Sequence, residues 1–331
     1  MQDKPAASDC ATPWTTWARS IINGAVGDYL QARQNGLEIE MALYVRNRPL
    51  PLTRAALLEA HPRPTPRLCV FLHGLGCNEG SWAYRDLSNS GRWTSYGAEL
   101  AADLGFTPLF ARYNTGLALA RNGQSLADLL NALLAAYPLP VRDLVLIGHS
   151  MGGLVIRHAC HIGAQRHDPW VPLVRQAFYL GSPHDGAPLA LLSDIAARVL
   201  HSVPNPITRL IGDIFDLRSQ GIKDLRSPPF IEEAGQRAAP RQTVPWLTSA
   251  QHYLVVATLT EDPKHLVAIL LGDGLVLVPS IRETPPDGTA PYPMPRDHVA
   301  CFSPMDHLQL TRDPAVYARI RAWCEEYERS V

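Results

Sequence analysis

One serine stands between glycines in the stretch Gly148-His149-Ser150-Met151-Gly152. The preceding run DLVLIGH is as apolar as a buried strand, and the following MGGLVIRHA has the apolar spacing of a helix. A strand, a glycine-flanked turn and a helix together form the setting that presents a nucleophilic serine. The sequence therefore predicts that Ser150 is a nucleophile, and the alternative is a glycine-rich turn with a capping serine.

A serine hydroxyl is a poor nucleophile unless a base, an orienting acid and an oxyanion hole act on it. An earlier strand-like run ends at His73 and Gly74, and the loop that follows offers the backbone N–H of Leu75. The helix beginning at Met151 offers a second N–H together with the positive end of its dipole. We predict Leu75 and Met151 as the oxyanion donors and His73 and Gly74 as parts of the site wall.

Several histidines follow Ser150 in the sequence, and His307 has the most suggestive position. It lies just past the strand-like run HVACFS and before the helical pattern DPAVYARIRAWCEEYE. The end of the last strand is where ligand-facing residues of an open α/β sheet belong. We predict that His307 is the base and that Asp306 beside it is a turn residue.

The elements that must position these residues alternate along the chain. Helical patterns separate five mostly apolar runs: RLCVFLHG, FTPLFARYN, DLVLIGHS, QAFYLGS and YLVVATLT. Such runs suit strands that are covered on both faces, and their alternation with helices favours a mainly parallel sheet. The predicted fold class is therefore α/β, with helices flanking the sheet.

Two parts of the chain depart from this alternation. Residues 1–66 contain a helical pattern, a strand-like pattern and a proline-rich connector, which predict an extension packed on a main domain over 67–331. Between FYLGSP and YLVVATLT lie roughly seventy residues, far more than an ordinary connection needs. Their apolar helical patterns predict an inserted cap at about 185–250, and the alternative is a second independent domain.

The chain contains five short motifs in the order FLHGLG, GHSMGG, LGSPHDGAP, GDGLVLVPS and MDHLQL. Over residues 67–325 they resemble the successive signatures of α/β-hydrolases, specifically bacterial lipases and their esterase relatives. The resemblance implies an α/β-hydrolase fold with an inserted cap. It also implies hydrolysis of carboxylic esters through an acyl-enzyme, with no metal or other cofactor in the chemical step.

The same resemblance implies a triad that runs serine, acid, histidine along the chain. Asp273 in GDGLVLVPS matches the acid, while Asp262, two residues after the end of YLVVATLT, is its rival because it follows a strand. Asp273 could also be an ordinary Asp-Gly turn. His184 in GSPHDGAP is expected to shape the site wall rather than to form a second catalytic pair with Asp185.

Composition narrows the classes of partner. The net charge is −1 and no basic run is present, so nucleic acid is not an expected partner. The longest apolar run, LVAILLG, is far shorter than the ~20 residues of a membrane span. A polar N-terminus and six scattered cysteines predict a cytoplasmic protein with reduced thiols. A Cys77–Cys10 bridge is the alternative, and the oligomeric state stays open.

Together these features predict a serine esterase or lipase. The apolar cap favours an apolar acyl ester, either a small molecule or a lipid, with transient contact to a lipid surface. The alternatives on the same fold are a thioesterase, an acyltransferase or a lipid deacylase. From a different class, the rival is a binding protein that has the fold without catalysis.

Overall fold

The fold is built on one large sheet, seen in a computed structural model that describes residues 13–34, 36–86, 91–184, 186, 219–226, 243–258 and 294–330. Within these ranges the sheet has eight strands: β1 (Ala42–Val45), β2 (Arg48–Pro49), β3 (Arg67–Leu72), β6 (Thr107–Arg112), β7 (Asp143–His149), β8 (Val174–Leu180), β9 (Gln251–Ala257) and β10 (Val299–Phe302). A separate hairpin consists of β4 (Ala83–Asp86) and β5 (Arg92–Ser95).

The strand order is β10-β9-β8-β7-β3-β6-β1-β2. From β10 to β6 all neighbours pair in parallel, whereas β1 pairs antiparallel with both β6 and β2. This confirms the predicted α/β class with a mostly parallel sheet. In a parallel sheet all carboxyl ends meet at one edge, so the residues that follow β3, β7, β8, β9 and β10 are brought together there.

Helices cover the sheet on both sides. The described helices are α1 (Trp14–Arg33), α2 (Arg54–Ala60), α3 (Tyr96–Leu104), α4 (Leu119–Ala136), α5 (Met151–Arg166), α6 (Gln220–Leu225) and α7 (Pro314–Ser330). Local chemistry sets some of their ends. At the start of α3 the Ser95 hydroxyl accepts the N–H of Ala98, and at its end Gly105 takes the left-handed conformation with φ 68°.

Alternate residues of each central strand enter different cores. On β3, Leu68, Val70 and Leu72 pack in one apolar cluster with residues of α4 and α5. Cys69 and Phe71, which point to the other face, pack in a second cluster with residues of α3 and α7. Both faces of the strand are therefore buried, which explains why the sequence shows an unbroken apolar run there instead of an alternating one.

The N-terminal part of the chain contributes to this sheet as well as to its cover. The strand-like pattern of this part, LEIEMALYVRN at 37–47, contains a strand over a shorter range, β1 at Ala42–Val45. Helix α1 is irregular at Val26, where φ is −141°. The predicted extent of the extension, 1–66, stays a prediction.

The predicted cap lies mostly outside the described residues. Its two apolar helical patterns cover 189–203 and 205–221, and all but the last three of these residues lie outside the described residues. The described part includes the short helix α6, which begins after Ser219 accepts the N–H of Ile222. The cap at 185–250 therefore stays a prediction.

The scattered cysteines were predicted to be reduced, structural thiols. Of the five in the described ranges, Cys69, Cys77, Cys160 and Cys324 are buried thiols. Cys301 on β10 is exposed, so the expected burial is wrong for this residue. Burial raises the pKa of the Cys77 and Cys160 thiols to about 12, which keeps them protonated and unreactive near neutral pH. Cys10, the alternative disulfide partner of Cys77, lies outside the described residues. In the described part of the chain, no helix is both long and apolar enough to cross a membrane.

Candidate active site

Ser150 occupies the turn between β7 and α5 in a conformation that is unusual for a residue with a side chain. Its φ is 54° and its ψ is −123°, and it is 2% exposed. Its N–H donates to the carbonyl of Leu180 at 2.8 Å, and its carbonyl accepts the N–H of Gly153 at 3.1 Å. Such strain persists only where the surroundings enforce it, and it is concentrated at functional sites.

The glycines around Ser150 permit the close approach that this turn needs. A Cβ added at Gly152 would lie 2.5 Å from the carbonyl oxygen of Leu72 and 2.8 Å from that of His73. A Cβ at Gly148 would collide with the backbone of Gly153. Because backbone atoms cannot move aside as a flexible side chain can, only glycine fits at these two positions.

The loop after β3 lies directly against the serine. A Cβ added at Gly74 would be 3.0 Å from Cβ of Ser150, so this loop and the turn are in van der Waals contact. Leu75 follows in the loop and is buried, with 5% of its surface exposed. Met151 is the first residue of α5, where an N–H has no acceptor within the helix. The two predicted oxyanion donors therefore belong to the two segments that meet at Ser150.

His73 is a neutral part of the scaffold. Its Nδ1–H donates to the Gly74 carbonyl at 2.9 Å, which leaves Nε2 to accept the N–H of Tyr113. The Tyr113 hydroxyl donates to the His73 carbonyl at 2.8 Å, and the two rings stack at 4.5 Å. Desolvation by burial lowers the pKa of His73 to about 3, so the ring is uncharged near neutral pH.

His307 lies at the same edge of the sheet, in the loop after β10, and is 2% exposed. A Cβ added at Gly181 would lie 2.7 Å from both Nδ1 and Cε1 of its imidazole. Gly181 directly follows Leu180, the residue whose carbonyl accepts the Ser150 N–H. The predicted nucleophile and the predicted base thus flank the same two residues at the end of β8.

His149 forms a further connection between the serine turn and the loop that carries His307. Its Nε2–H donates to the His307 carbonyl at 2.9 Å, and the two rings lie 4.5 Å apart. Desolvation by burial, together with the neighbouring His307, lowers the pKa of His149 well below its usual value. His149 is therefore a neutral donor. Because it directly precedes Ser150, its hydrogen bond joins the serine turn to the loop that carries His307.

Neither predicted acid can be placed, because Asp273 and Asp262 both lie outside the described residues. Asp306, by contrast, is a turn residue. Its Oδ1 accepts the N–H groups of Leu308 and Gln309 at 2.8 and 3.0 Å.

His184 belongs to a buried aromatic cluster beside the site. Its ring lies 4.8 Å from that of Tyr179 and 4.6 Å from that of Trp246. Arg157, on α5, donates to its Nδ1 at 3.4 Å and places its guanidinium 4.2 Å from the Trp246 ring centre. Burial and then the Arg157 charge lower the pKa of His184 well below its usual value, so it stays neutral.

Sequence reasoning missed one part of this region. The loop after β6 meets the loop after β3, where the Gly76 N–H donates to Thr115 Oγ1 at 3.0 Å. Helix α1 covers both loops. These contacts join residues far apart in the chain, and no local pattern in the sequence indicates them. Among the described residues no group of histidines, cysteines or carboxylates is arranged to hold a metal.

A sequence model of the alpha/beta hydrolase family matches residues 69–323 of the chain. The chain belongs to this family. The matched region begins in β3 and ends in α7, so it includes Ser150, His307 and the loop that contains Leu75. The fold class predicted from the motifs, an α/β-hydrolase fold, is thereby confirmed.

No curated protein sequence matches the chain significantly. Among solved structures, a Bacillus licheniformis lipase in its mature form is similar, with 18% identity, a TM-score of 0.47 and coverage of 80% of this chain and 94% of that one. An esterase from Pyrococcus furiosus has 12% identity, a TM-score of 0.44 and coverage of 80% and 82%. The carboxylesterase CesB of Bacillus subtilis has 14% identity, a TM-score of 0.38 and coverage of 78% and 82%.

Proposed function

We propose that this protein is a serine hydrolase that cleaves carboxylic esters through an acyl-enzyme. The observation that carries the proposal is the conformation of Ser150, with φ 54° at the turn between β7 and α5. Membership of the alpha/beta hydrolase family supports it, because the nucleophile of this fold occupies such a turn. The buried His307, which lies against Gly181 at the end of β8, supplies the base that the serine needs.

In the first half of the reaction, the Ser150 oxygen attacks the ester carbonyl carbon while His307 takes the hydroxyl proton. The carbonyl oxygen becomes an oxyanion, which accepts hydrogen bonds from the N–H groups of Leu75 and Met151. When the tetrahedral intermediate collapses, the bond to the alcohol breaks and His307 returns the proton to the leaving oxygen. The acyl group is then bonded to Ser150.

In the second half, a water molecule attacks the acyl carbon and His307 takes its proton. The same two N–H groups stabilise the second oxyanion. Collapse breaks the bond to Ser150, His307 protonates the serine oxygen, and the carboxylic acid leaves. No metal or other cofactor takes part in these steps.

We assign the orienting acid to Asp273, following the motif GDGLVLVPS. A carboxylate that accepts the Nδ1–H of His307 would hold the ring in the tautomer whose Nε2 can take the serine proton. Asp262 is the competing assignment, and the two are separated by mutagenesis below.

The proposed substrate is an ester with an apolar acyl group, in a small molecule or a lipid. The predicted cap would supply the apolar side chains that contact this acyl group, from its helical patterns. Contact with a lipid surface during turnover belongs to the same proposal. The buried thiols suit the predicted cytoplasmic location.

A series of p-nitrophenyl esters from acetate to palmitate tests this function. We expect hydrolysis, with a preference along the series, and a burst of p-nitrophenol of about one equivalent where deacylation is slower than acylation. A matched thioester in the same assay distinguishes an esterase from a thioesterase. If folded protein turns over no ester or thioester and does not react with a fluorophosphonate at Ser150, the proposed function is wrong and the non-catalytic alternative is favoured.

A further inference from the structure

The loop that contains Leu75 is fixed by a residue outside the predicted triad and oxyanion hole. Gly76, the residue after Leu75, donates its N–H to the hydroxyl oxygen of Thr115 at 3.0 Å, and Thr115 is 1% exposed. Gly76 has a φ of 68°. The hydrogen bond thus fixes the Leu75–Gly76 peptide unit, which directly follows the peptide unit that carries the Leu75 N–H.

Thr115 itself is held from behind by helix α1. A Cβ added at Gly24 would lie 3.1 Å from Thr115 Oγ1 and equally 3.1 Å from N and Cα of Gly76. The helix backbone therefore lies against both partners of the hydrogen bond at once. Both partners are buried, so the Gly76 N–H depends on Thr115 for an acceptor.

Further hydrogen bonds fasten α1 to this region. Asn114 donates from Nδ2 to the carbonyl of Gly27 at 3.0 Å, and its Oδ1 accepts the N–H of Gly116 at 3.0 Å. At the N-cap of α6, the Ser219 hydroxyl donates to the Gly24 carbonyl at 2.7 Å. Helix α1, the loop after β6 and helix α6 thus lock together around Thr115.

We propose that Thr115, held in place by α1, is a positioning residue that aims the Leu75 N–H at the oxyanion. This inference rests on the proposed function, because it assigns an effect on the oxyanion hole. Thr115 contacts the loop and not the substrate, so it acts through the orientation of Leu75. Helix α1 would therefore contribute to the geometry of the oxyanion hole, in addition to covering the sheet.

The substitution Thr115→Val tests the proposal because it keeps the shape of the side chain and removes the acceptor. The loss of one oxyanion donor costs about 100- to 1,000-fold in kcat, so a misaimed donor should cost about 10- to 100-fold. KM should change little, since the donor acts mainly on the transition state. The affinity for a boronic acid, which forms a tetrahedral adduct on the serine, should fall in parallel with kcat.

Two matched variants separate positioning from stability. Thr115→Ser keeps the hydroxyl and should restore kcat to within about threefold of wild type. Thr107→Val makes the same change at the opposite end of β6, where a buried threonine hydroxyl likewise accepts a backbone N–H, that of Thr65 at 2.9 Å. It should lower the unfolding free energy and leave the kcat of the folded protein unchanged.

Gly24→Ala tests the role of α1 and serves if Thr115→Val does not fold. Alanine favours a helix over glycine by ~1 kcal/mol, yet its Cβ would press on Thr115 and Gly76. We expect a lower kcat and weaker boronic acid binding without a loss of stability. Wild-type kcat in Thr115→Val or, if that variant does not fold, in Gly24→Ala overturns the inference. So does a Thr115→Ser variant as slow as Thr115→Val.

These outcomes are distinct from a failure of the proposed function. If wild-type protein neither turns over esters nor reacts at Ser150, the esterase assignment is wrong and the positioning role is overturned with it. If wild type is active and the Thr115 variants match it, only the positioning role is overturned.

Discussion

The Nε2–H of His149 donates to the backbone carbonyl of His307 at 2.9 Å. Because His149 directly precedes Ser150, the strand end that presents the serine also anchors the loop that carries the histidine. One rigid contact thus relates the predicted nucleophile to the predicted base. His149, between Gly148 and Ser150, therefore has a structural role as the anchor of this loop.

Replacing His149 by phenylalanine should separate this hydrogen bond from the packing of the ring. Phenylalanine keeps an aromatic ring beside His307 and removes the donor. The net value of one hydrogen bond is about 1 kcal/mol, so we expect kcat to fall roughly 5- to 10-fold with KM unchanged. Steady-state kinetics on a p-nitrophenyl ester measures both.

His158→Phe is the matched control. His158, like His149, is buried, but it lies on α5 and donates from Nδ1 to the Leu154 carbonyl of its own helix at 3.0 Å. This variant should lose stability without losing kcat. Equal kcat losses in the two variants would contradict the anchoring role of His149.

Gly74→Ala should impair catalysis more than stability. The added Cβ would lie 3.0 Å from Cβ of Ser150 and 3.1 Å from Nδ1 of His149, so it would push the loop away from the serine. We expect kcat/KM to fall by about 100-fold, the order seen when an oxyanion donor is displaced. The assay is ester hydrolysis at matched concentrations of folded protein.

Gly105→Ala is the matched control, and it should lose stability while its catalytic activity is unchanged. Gly105 has φ 68° and no heavy atom within 4 Å of an added Cβ. The left-handed backbone costs an alanine ~1 kcal/mol of stability, and the site is not touched. An active Gly74→Ala enzyme would show that the loop after β3 is not an oxyanion loop.

The fold was more predictable than the site. All five apolar runs that were predicted as strands are strands, since a strand buried on both faces leaves a continuous apolar signal. Helix α2 and the hairpin of β4 and β5 were missed because they are short and carry exposed residues such as Arg54 and Arg92. Helix α4 begins at Leu119, whereas the helical pattern SLADLLNALLAAY that predicts it starts only at Ser125.

Within the site, local patterns indicated Ser150 and the loop around Leu75 because each follows a recognisable strand. They gave no sign of Thr115, whose partner Gly76 is 39 residues away, or of the approach of Gly24. Such contacts depend on how separate elements pack, and a glycine in a helix looks in the sequence like a weak helix former.

Acid should destabilise the fold at pH values where surface carboxylates are still charged. Burial lowers the pKa of His73 from 6.5 to about 3, so between these values the unfolded chain binds a proton that the folded protein does not. Stability is then fully present above pH 6.5 and falls as the pH decreases, by up to about 1.4 kcal/mol per pH unit for this residue. His149 and His184, whose pKa values are also lowered by burial, act in the same direction.

Urea unfolding at pH 7 and pH 5 measures this effect. His73→Gln should lower the stability at pH 7 and reduce the loss between the two pH values, because one titrating group is gone. If the variant and wild type lose the same free energy over this interval, His73 is not buried in its neutral form.

Substituting each of the two candidate acids, Asp273 and Asp262, by asparagine tests which one orients His307. Asp273→Asn should reduce kcat by about 10,000-fold, the cost of leaving the histidine in the wrong tautomer. Asp262→Asn should be mild. Reversed effects, measured by ester hydrolysis, would assign the role to Asp262, and two mild effects would contradict a triad that includes either residue.

The central claim is that Ser150 is the nucleophile, and covalent labelling with a fluorophosphonate tests it most directly. Intact-mass measurement should show one adduct on wild-type protein, peptide mapping should place it on Ser150, and Ser150→Ala should stay unlabelled while unfolding at a similar urea concentration. Folded wild-type protein that remains unmodified, or a Ser150→Ala variant that is labelled as fast as wild type, would contradict the claim.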